Sequence, residues 1–221
     1  MTLDISFLKW TGHAGFMFET KGSTVYIDPF KIGTVSDRAD VVFISHSHFD
    51  HLYEADLKRI ADEKTLFVAP REAAEKLPFK RNVTLASPGK SGTVHGIDFE
   101  AVAAYNVEPA RLQYHPKAAG MVGYVVEVEG KRVYHAGDTD VIKEMEGVRT
   151  DLALLPAGGT YTMDVDQALR ATKVVKAKTY APMHYRALLG LEGSKALEKR
   201  FTDAVSDSII LTQINEPLYS F

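Results

Sequence analysis

The sequence predicts an α/β protein in which two β-sheets pack against each other and carry helices on their outer faces. Each half of the 221-residue chain shows short apolar strands first and amphipathic helices afterwards. No stretch rich in Ser, Gly or Pro separates the two halves. Hydrophobic residues at 45% and charged residues at 25% are typical of a globular chain. We therefore expect one domain over residues 1–221.

The first half opens with a predicted β-meander. Residues 4–9, 15–20 and 24–28 are rich in Ile, Phe, Val and Tyr and are separated by turns at Thr11-Gly12 and Lys21-Gly22. The sequence VVFIS (41–45) is a continuous apolar run, the pattern of a strand buried on both faces. The remaining elements are predicted helices over 53–63 and 71–77 and predicted strands near 66–69, 83–86, 92–95 and 97–104.

The second half repeats this alternation. The sequence GYVVEVEGKRVYHAGDT predicts a hairpin through Glu129-Gly130, and DLALLPAGG (151–159) predicts another buried strand. A helix over 164–177 has Asp164 as its predicted N-cap residue. The last predicted elements are a strand over 179–184, a helix over 194–205 and a strand over 208–214.

Composition excludes several classes of function. The net charge is −3 with neutral histidines, so we expect no binding to nucleic acid. The chain has no cysteine, which excludes disulfides, iron-sulfur clusters, thiolate zinc sites and cysteine nucleophiles. No window approaches the ~20 apolar residues that span a bilayer, and the N-terminus lacks a secretory pattern. These observations predict a cytoplasmic protein without a membrane segment.

The strongest functional signal is the sequence HSHFDH over residues 46–51. His46 and His48 are two residues apart, and this spacing in an extended chain directs both imidazoles to one side. A bend at Phe49 would direct Asp50 and His51 towards a second point nearby. Four metal-binding side chains within six residues, directly after a buried strand, have little purpose in packing. The cluster predicts a metal site.

Two further fragments extend this prediction. Asp138, in the sequence GDT (137–139), follows the hairpin strand, where a carboxylate could bridge two cations and reduce their repulsion. His184 closes the predicted strand TYAPMH. Together with the first cluster, both residues become candidate ligands.

The sequences HSHFDH, GDT (137–139) and PMH (182–184), in this order, resemble the metallo-β-lactamase superfamily, and the resemblance covers nearly the whole chain. The sequences WTGHAGF, YIDPF, YHAGDT and PAGGTYTMD are similar to its branch of small metal-dependent hydrolases related to L-ascorbate-6-phosphate lactonase. The resemblance implies a four-layer αββα sandwich. It also implies that His46 and His48 hold one metal, that Asp50, His51 and His184 hold a second, and that Asp138 bridges them.

The third histidine of the first site is where the chain departs from the family. The family's histidine is expected at the end of the stretch AAYN, where this chain has Asn106. His115 is the nearest substitute, nine residues further on. An amide oxygen is a weak ligand compared with imidazole, so either a loop brings His115 into the site or the first metal is held loosely. We favour His115.

These features lead to the hypothesis of a binuclear hydrolase in which a metal-bound hydroxide attacks a small, anionic ester, lactone or phosphodiester. Asp50 would orient the hydroxide and accept a proton, and His184 or a tyrosine would assist the leaving group. The cofactors would be two divalent metal ions, with zinc as the first choice and manganese as the second.

Other functions stay open beside this hypothesis. A metal-binding sensor or scaffold without turnover is the main alternative, and Asn106 is the feature that favours it. A nuclease is disfavoured because the chain has neither an inserted domain nor a basic surface. A diiron redox protein is disfavoured because no residues remain for a flavin-binding domain. The sequence leaves a homo-oligomer open.

Several residues near the proposed ligands have candidate supporting roles. His13 and His135 are interpreted as indirect partners of the metal ligands, and Asp28 as a buried carboxylate that ties the HSHFDH loop. Four residues could contact an anionic substrate, although surface charge is the commoner explanation: Lys117, Tyr161, Tyr185 and Arg186.

Overall fold

The computed structural model describes residues 3–35 and 37–214. Within these residues, twelve strands form two six-stranded sheets. The first sheet contains, in spatial order, β1 (Leu8–Gly12), β2 (Gly15–Thr20), β3 (Ser23–Ile27), β4 (Val41–Phe43), β5 (Leu66–Pro70) and β6 (Val83–Ala86). Its first three strands are antiparallel to one another, and β3 to β6 run parallel. The predicted meander is therefore followed by a parallel half-sheet.

The second sheet also begins with antiparallel strands and ends with parallel strands. Its strands, in chain order, are β7 (Ser91–Val94), β8 (Ile97–Ala103), β9 (Val122–Val128), β10 (Lys131–His135), β11 (Arg149–Pro156) and β12 (Lys176–Met183). This chain order is also the spatial order. The strands β7 to β10 are antiparallel, and β10 to β12 run parallel. Glu129 and Gly130 form the turn between β9 and β10, as predicted.

Helices cover the outer faces of both sheets. The helices are α1 (Glu54–Ile60) and α2 (Arg71–Ala74) on the first sheet, α3 (Val165–Val174) and α4 (Arg186–Ala204) on the second, and two short 3-10 helices at Lys117–Ala119 and Lys143–Gly147. Asp164 caps α3 by accepting a hydrogen bond from the Gln167 backbone. The four-layer α/β architecture that the sequence predicted is confirmed.

The alternation of side chains along β4 explains why both faces of the first sheet are apolar. Val41 and Phe43 join the core between the two sheets, and Val42 joins a second core with Leu57 and Ile60 of α1. All five side chains are fully buried. A strand that is buried on both faces must be apolar throughout, and the apolar run over residues 41–45 predicted β4 for this reason. The Tyr124 hydroxyl links the sheets by donating to the Ile44 carbonyl over 2.8 Å.

Four predicted elements differ clearly from the structure. The helix predicted over 164–177 ends at Val174, because β12 begins at Lys176. The first strand spans Leu8–Gly12, and the turn falls at His13 and Ala14 because Gly12 pairs with Gly15. The helix predicted over 194–205 is part of α4, which begins at Arg186 and has a non-helical backbone at Gly190. Gly190 and Gly193 interrupt the helical sequence pattern in the part of α4 before residue 194, so that part was not predicted.

The predicted strand over 208–214 is wrong. This segment makes only isolated bridges, from Ser208 to Tyr180 on β12 and from Gln213 to Trp10 on β1. It therefore crosses from the edge of one sheet to the edge of the other and pairs with neither over a full strand. The prediction of one domain over residues 1–221 includes residues outside the described ranges and stays a prediction. Within the described part of the chain, every helix is too short or too polar to cross a bilayer.

Candidate metal centre

The sequence HSHFDH forms the loop that follows β4. The backbone amides of His51 and Leu52 both donate to the His48 carbonyl, over 3.0 and 2.8 Å. This tight turn contains Phe49, where the bend was expected. Three of the four predicted ligands of the loop are buried, and His48 is half-buried. With residues from elsewhere in the chain, their side chains form two main groups.

The first group consists of His46, His48 and His115, whose ligand atoms all lie within 4.8 Å of one another. Nδ1 of His48 lies 3.0 Å from Nε2 of His46 and 3.1 Å from Nε2 of His115. Three ring nitrogens therefore meet at one point. Three imidazoles are a common protein donor set for a transition metal.

His115 reaches this point because Asn106 holds it. Nδ1 of His115 lies 2.8 Å from Oδ1 of Asn106, and the Asn106 backbone amide donates to the His115 carbonyl over 2.8 Å. The Asn106 side-chain amide donates to the Tyr161 carbonyl over 3.1 Å. Asn106 therefore contacts Nδ1 of the His115 ring, while Nε2 of the same ring lies next to His48. Of the two candidates for the third position, the structure brings His115 into the group.

The loop between Asn106 and His115 is anchored by a buried ion pair. Oδ2 of Asp140 accepts hydrogen bonds from the amides of Val107 and Glu108, over 2.8 and 2.9 Å. Oδ1 of Asp140 lies 2.8 Å from Nη2 of Arg111, and Arg111 also donates to the Gly159 carbonyl. Because Asp140 lies two residues after Asp138, this loop and the GDT turn are fixed to each other.

The second group consists of His13, Asp50, His51 and His184. Oδ2 of Asp50 lies 3.0 Å from Nε2 of His13, 3.5 Å from Nε2 of His184 and 4.0 Å from Nε2 of His51. His184 follows β12, and its backbone amide donates to the His13 carbonyl over 3.0 Å. This bond joins the first turn of the first sheet to the last strand end of the second sheet.

Asp138 lies between the two groups. Its Oδ2 is 3.3 Å from Nε2 of His115 in the first group and 3.2 Å from Nε2 of His184 in the second. Its Oδ1 is 3.3 Å from Nε2 of His51. Gly137 makes this position accessible, since it has φ 65° and a Cβ there would lie 2.8 Å from the Val122 carbonyl oxygen. One carboxylate thus contacts the ligand atoms of both groups.

Asp28 positions His51 directly and His46 through Ser45. Its carboxylate accepts hydrogen bonds from Nδ1 of His51 over 2.8 Å, from the Ser45 amide over 2.7 Å and from the Ser45 hydroxyl. The Ser45 hydroxyl oxygen in turn lies 2.9 Å from Nδ1 of His46. With protons on Nδ1, both histidines present the Nε2 lone pair to the site. This is the tying role expected for Asp28.

The charges of the site shift the pKa values of its histidines in opposite directions. Burial lowers the pKa of His46, and burial together with His184 lowers the pKa of His13 to about 4. Burial opposes a charge on His51 and His184 as well, but the surrounding carboxylates outweigh it. They raise the pKa of His51 well above its usual value and the pKa of His184 to about 9. Burial would raise the pKa of Asp138, whereas His184 and His51 hold it well below its usual value. The carboxylates of the site therefore strongly favour a positive charge at this point.

The donor atoms fit divalent cations. Among the described residues, Nε2 of His51, Nε2 of His184 and Oδ1 of Asp138 are buried and make no hydrogen bond. Buried polar atoms without hydrogen bonds are unfavourable unless another group satisfies them. All three point into the space shared by the two groups, and imidazole with carboxylate is a suitable donor set for zinc or manganese.

A cavity of about 350 Å³ opens above the two groups. Its floor contains His48, Asp50, His115 and Asp138. Its other lining residues are aromatic: Phe49, Tyr114 and Tyr161. The ligand groups are therefore accessible to a small molecule from one side.

Of the four residues proposed to contact an anionic substrate, only Tyr161 lines this cavity. Nζ of Lys117 bonds Glu144 over 3.0 Å and the Tyr105 hydroxyl over 3.1 Å. Nη2 of Arg186 bonds Glu198 over 2.9 Å. The Tyr185 hydroxyl also donates to Glu198. Lys117, Tyr185 and Arg186 lie close to predicted ligands in the sequence, but their side chains bond groups outside the cavity.

The remaining histidines differ in their relation to the site. Nε2 of His135 donates to the Ala14 carbonyl over 2.8 Å, and its Nδ1 accepts from the Gly137 amide over 3.2 Å. It supports the GDT turn and lies outside both groups. His13, interpreted from sequence as an indirect partner, lies within the second group. Its place at the turn between two glycines, in WTGHAGF, was the available signal.

The sequence matches the Beta-lactamase superfamily domain over residues 7–184. A UPF0173 metal-dependent hydrolase from Thermoplasma volcanium is 31% identical over 221 residues, which cover 95% of this chain and 96% of the relative. The resemblance to L-ascorbate-6-phosphate lactonase stays a prediction from sequence.

Two solved structures are similar over nearly their whole length. A Parabacteroides distasonis protein assigned as a metal-dependent hydrolase has a TM-score of 0.81 and 28% identity, over 93% of this chain and 92% of that chain. A metallo hydrolase from Ignicoccus hospitalis has a TM-score of 0.73 and 26% identity, over 95% of each chain. Both agree with the family match.

Proposed function

The chain belongs to the metallo-β-lactamase superfamily and is a metal-dependent hydrolase, and we propose that it uses two divalent metal ions to cleave an ester, lactone or phosphodiester bond in a small molecule. The observation that supports two metals is the position of Asp138, whose oxygens lie 3.2 to 3.3 Å from ligand nitrogens of both groups. A single carboxylate placed in this way suits a bridge between two cations.

The proposed ligands follow the two groups. His46, His48 and His115 would hold one metal, Asp50, His51 and His184 would hold the other, and Asp138 would contribute to both sites. Nitrogen-rich donors favour zinc, and manganese is the second metal to test. His13 donates from Nε2 to Asp50 and thereby orients the Asp50 carboxylate.

The residues of the chain have separate tasks in this reaction. When bound, the two metals would polarise the substrate and lower the pKa of a water. Asp50 orients the attacking water and accepts its proton, because its carboxylate is held by His13 at the floor of the cavity. His184 would bind the second metal through Nε2 beside Asp138, and so hold that metal's charge where negative charge develops on the substrate. Among the tyrosines considered, Tyr161 lies at the cavity wall and can donate to the substrate oxygen.

Asn106 was the feature that favoured a sensor or scaffold without turnover, because an amide oxygen is a weak third ligand for the first metal. Because His115 offers a third imidazole next to His46 and His48, that argument loses its basis. The accessible cavity above the ligand atoms also suits turnover better than a closed structural site.

Elemental analysis of the protein purified without added metal tests this proposal, together with turnover after loading with Zn²⁺ or Mn²⁺. The substrates are a generic ester, a lactone and bis-p-nitrophenyl phosphate. We expect close to two ions per chain and hydrolysis of at least one substrate. Asp138→Ala should lose both metals and activity, whereas Asp203→Ala, an exposed aspartate on α4, should keep both. Two tightly bound metals in the Asp138→Ala protein would contradict the bridging role.

A further inference from the structure

The cavity above the metal centre has a polar floor and an apolar wall. Its floor consists only of proposed ligands, namely His48, Asp50, His115 and Asp138. The other side chains that line it are Phe49, Tyr114 and Tyr161. A substrate whose scissile bond lies on the floor must therefore place its remaining atoms against aromatic rings.

The aromatic wall is both exposed and supported. Phe49 is 62% exposed although it lies between two proposed ligands, and its ring packs edge-on against Phe30 at 5.8 Å. Tyr161 is 36% exposed and packs perpendicular to Tyr114 at 4.9 Å. The Tyr161 carbonyl also accepts the bond from Asn106, which fixes the wall to the support of His115. Exposed aromatic rings on a rigid cavity wall are typical of a binding surface for apolar ligands.

Side-chain cations are absent from this lining among the described residues. Lys117 is engaged with Glu144 and lines a different cavity, and Arg186 is engaged with Glu198. The Arg111 side chain is buried and paired with Asp140. Proteins that recognise a phosphate or a second carboxylate normally supply arginine or lysine for it. An anionic group away from the scissile bond would here meet aromatic rings instead.

We propose that the substrate is an uncharged carboxylic ester or lactone that carries an aromatic group, and that Phe49, Tyr114 and Tyr161 bind this group. This inference rests on the proposed function of the metal centre. In the reaction, water adds to the carbonyl carbon and the carbon–oxygen single bond breaks. The products are a carboxylic acid and an alcohol, and the second proton of the water goes to the alcohol oxygen.

A matched pair of esters tests the proposal on the metal-loaded protein. The pair is 4-nitrophenyl 3-phenylpropanoate and 4-nitrophenyl 3-(4-carboxyphenyl)propanoate, which share the leaving group and differ by one carboxylate. We expect kcat/KM to be higher for the neutral ester by roughly tenfold or more, because the added carboxylate would be buried against the aromatic rings without a cation. Equal values, or preference for the carboxylate ester or for bis-p-nitrophenyl phosphate, would overturn the proposal.

Variants of the wall separate binding from chemistry. Phe49→Ala should raise KM for the neutral ester by roughly three- to tenfold and leave kcat and the metal content unchanged. Tyr161→Arg should shift the preference towards the carboxylate ester, since it adds the missing cation. Leu191→Ala, which removes an exposed leucine on α4, and Lys117→Ala should leave both esters unaffected. A loss of activity in Lys117→Ala would instead indicate an anionic substrate.

Binding measurements keep the proposal testable if neither ester is hydrolysed. Absence of turnover in the metal-loaded protein would contradict the proposed function. The wall is then tested by calorimetric titration with 3-phenylpropanamide and 3-(4-carboxyphenyl)propanamide. Tighter binding of the neutral amide, weakened by Phe49→Ala, would support the aromatic subsite on its own. Equal binding of both amides, or no effect of Phe49→Ala, would reject it.

Discussion

Nδ1 of His115 donates to Oδ1 of Asn106 over 2.8 Å, and the opposite nitrogen of the same ring meets His48. The Asn106 amide, three residues after β8, thus supports an imidazole nine residues further along the chain. A histidine whose second nitrogen is held in this way has a defined tautomer and ring orientation. Asn106 occupies the position where the family's histidine was expected, and it supports His115, the candidate substitute.

Asn106→Ala should weaken metal binding at the first group. The His115 ring would lose the acceptor that orients it, and removal of such a partner typically lowers metal affinity by about 10–100-fold. Competition with a chromophoric chelator measures the affinity of each site. Asn82→Ala is the matched control, because Asn82 is exposed and bonds only the Glu63 carbonyl through its side chain. Unchanged affinity in Asn106→Ala would show that the loop alone positions His115.

Asp28→Asn should lower both stability and metal affinity. An amide accepts through one oxygen only, whereas the carboxylate accepts from His51, the Ser45 amide and the Ser45 hydroxyl. Loss of hydrogen bonds to a charged group lowers the free energy of unfolding by about 1.5–3 kcal/mol. Urea denaturation measures this change, and Asp98→Asn, an exposed aspartate bonded to Thr93, should have a small effect. Comparable stability of the two variants would contradict the role of Asp28.

Arg111→Met should destabilise the loop that carries Tyr114 and His115. The substitution leaves the Asp140 carboxylate buried without its cation, and breaking such a pair typically lowers stability by about 3–5 kcal/mol. Arg132→Met is the control, because Arg132 pairs with Glu100 at the surface, where an ion pair contributes about 0–1 kcal/mol. Thermal unfolding distinguishes the two. Equal midpoints would show that the Asp140 backbone contacts alone hold the loop.

Removal of metal should lower the unfolding temperature, and Zn²⁺ should restore it. A cation neutralises buried carboxylates and satisfies Nε2 of His51 and of His184. A ligand present at about 100 times its dissociation constant stabilises the folded state by about 2.7 kcal/mol. Scanning calorimetry with and without a chelator measures the shift, which should be smaller in Asp138→Asn. The same unfolding temperature in both conditions would indicate that no tight metal site exists.

Local patterns in the sequence determined the fold class and the core of the candidate site. The continuous apolar run of VVFIS predicted the buried β4, and HSHFDH predicted four neighbouring metal-binding side chains in the loop after it. Such features can be predicted because periodicity and short spacing are set by the backbone within a few residues. Glu129 and Gly130, and the cap at Asp164, are local in the same sense.

Only the tertiary structure decided which distant residues meet. His115 enters the first group because Asp140 anchors its loop, and His13 enters the second because its carbonyl bonds the amide of His184. The segment 208–214 has the composition of a strand but lies between two sheet edges. Lys117 neighbours His115 in sequence yet points to Glu144. Such contacts depend on loop closure and long-range pairing, which spacing along the chain does not specify.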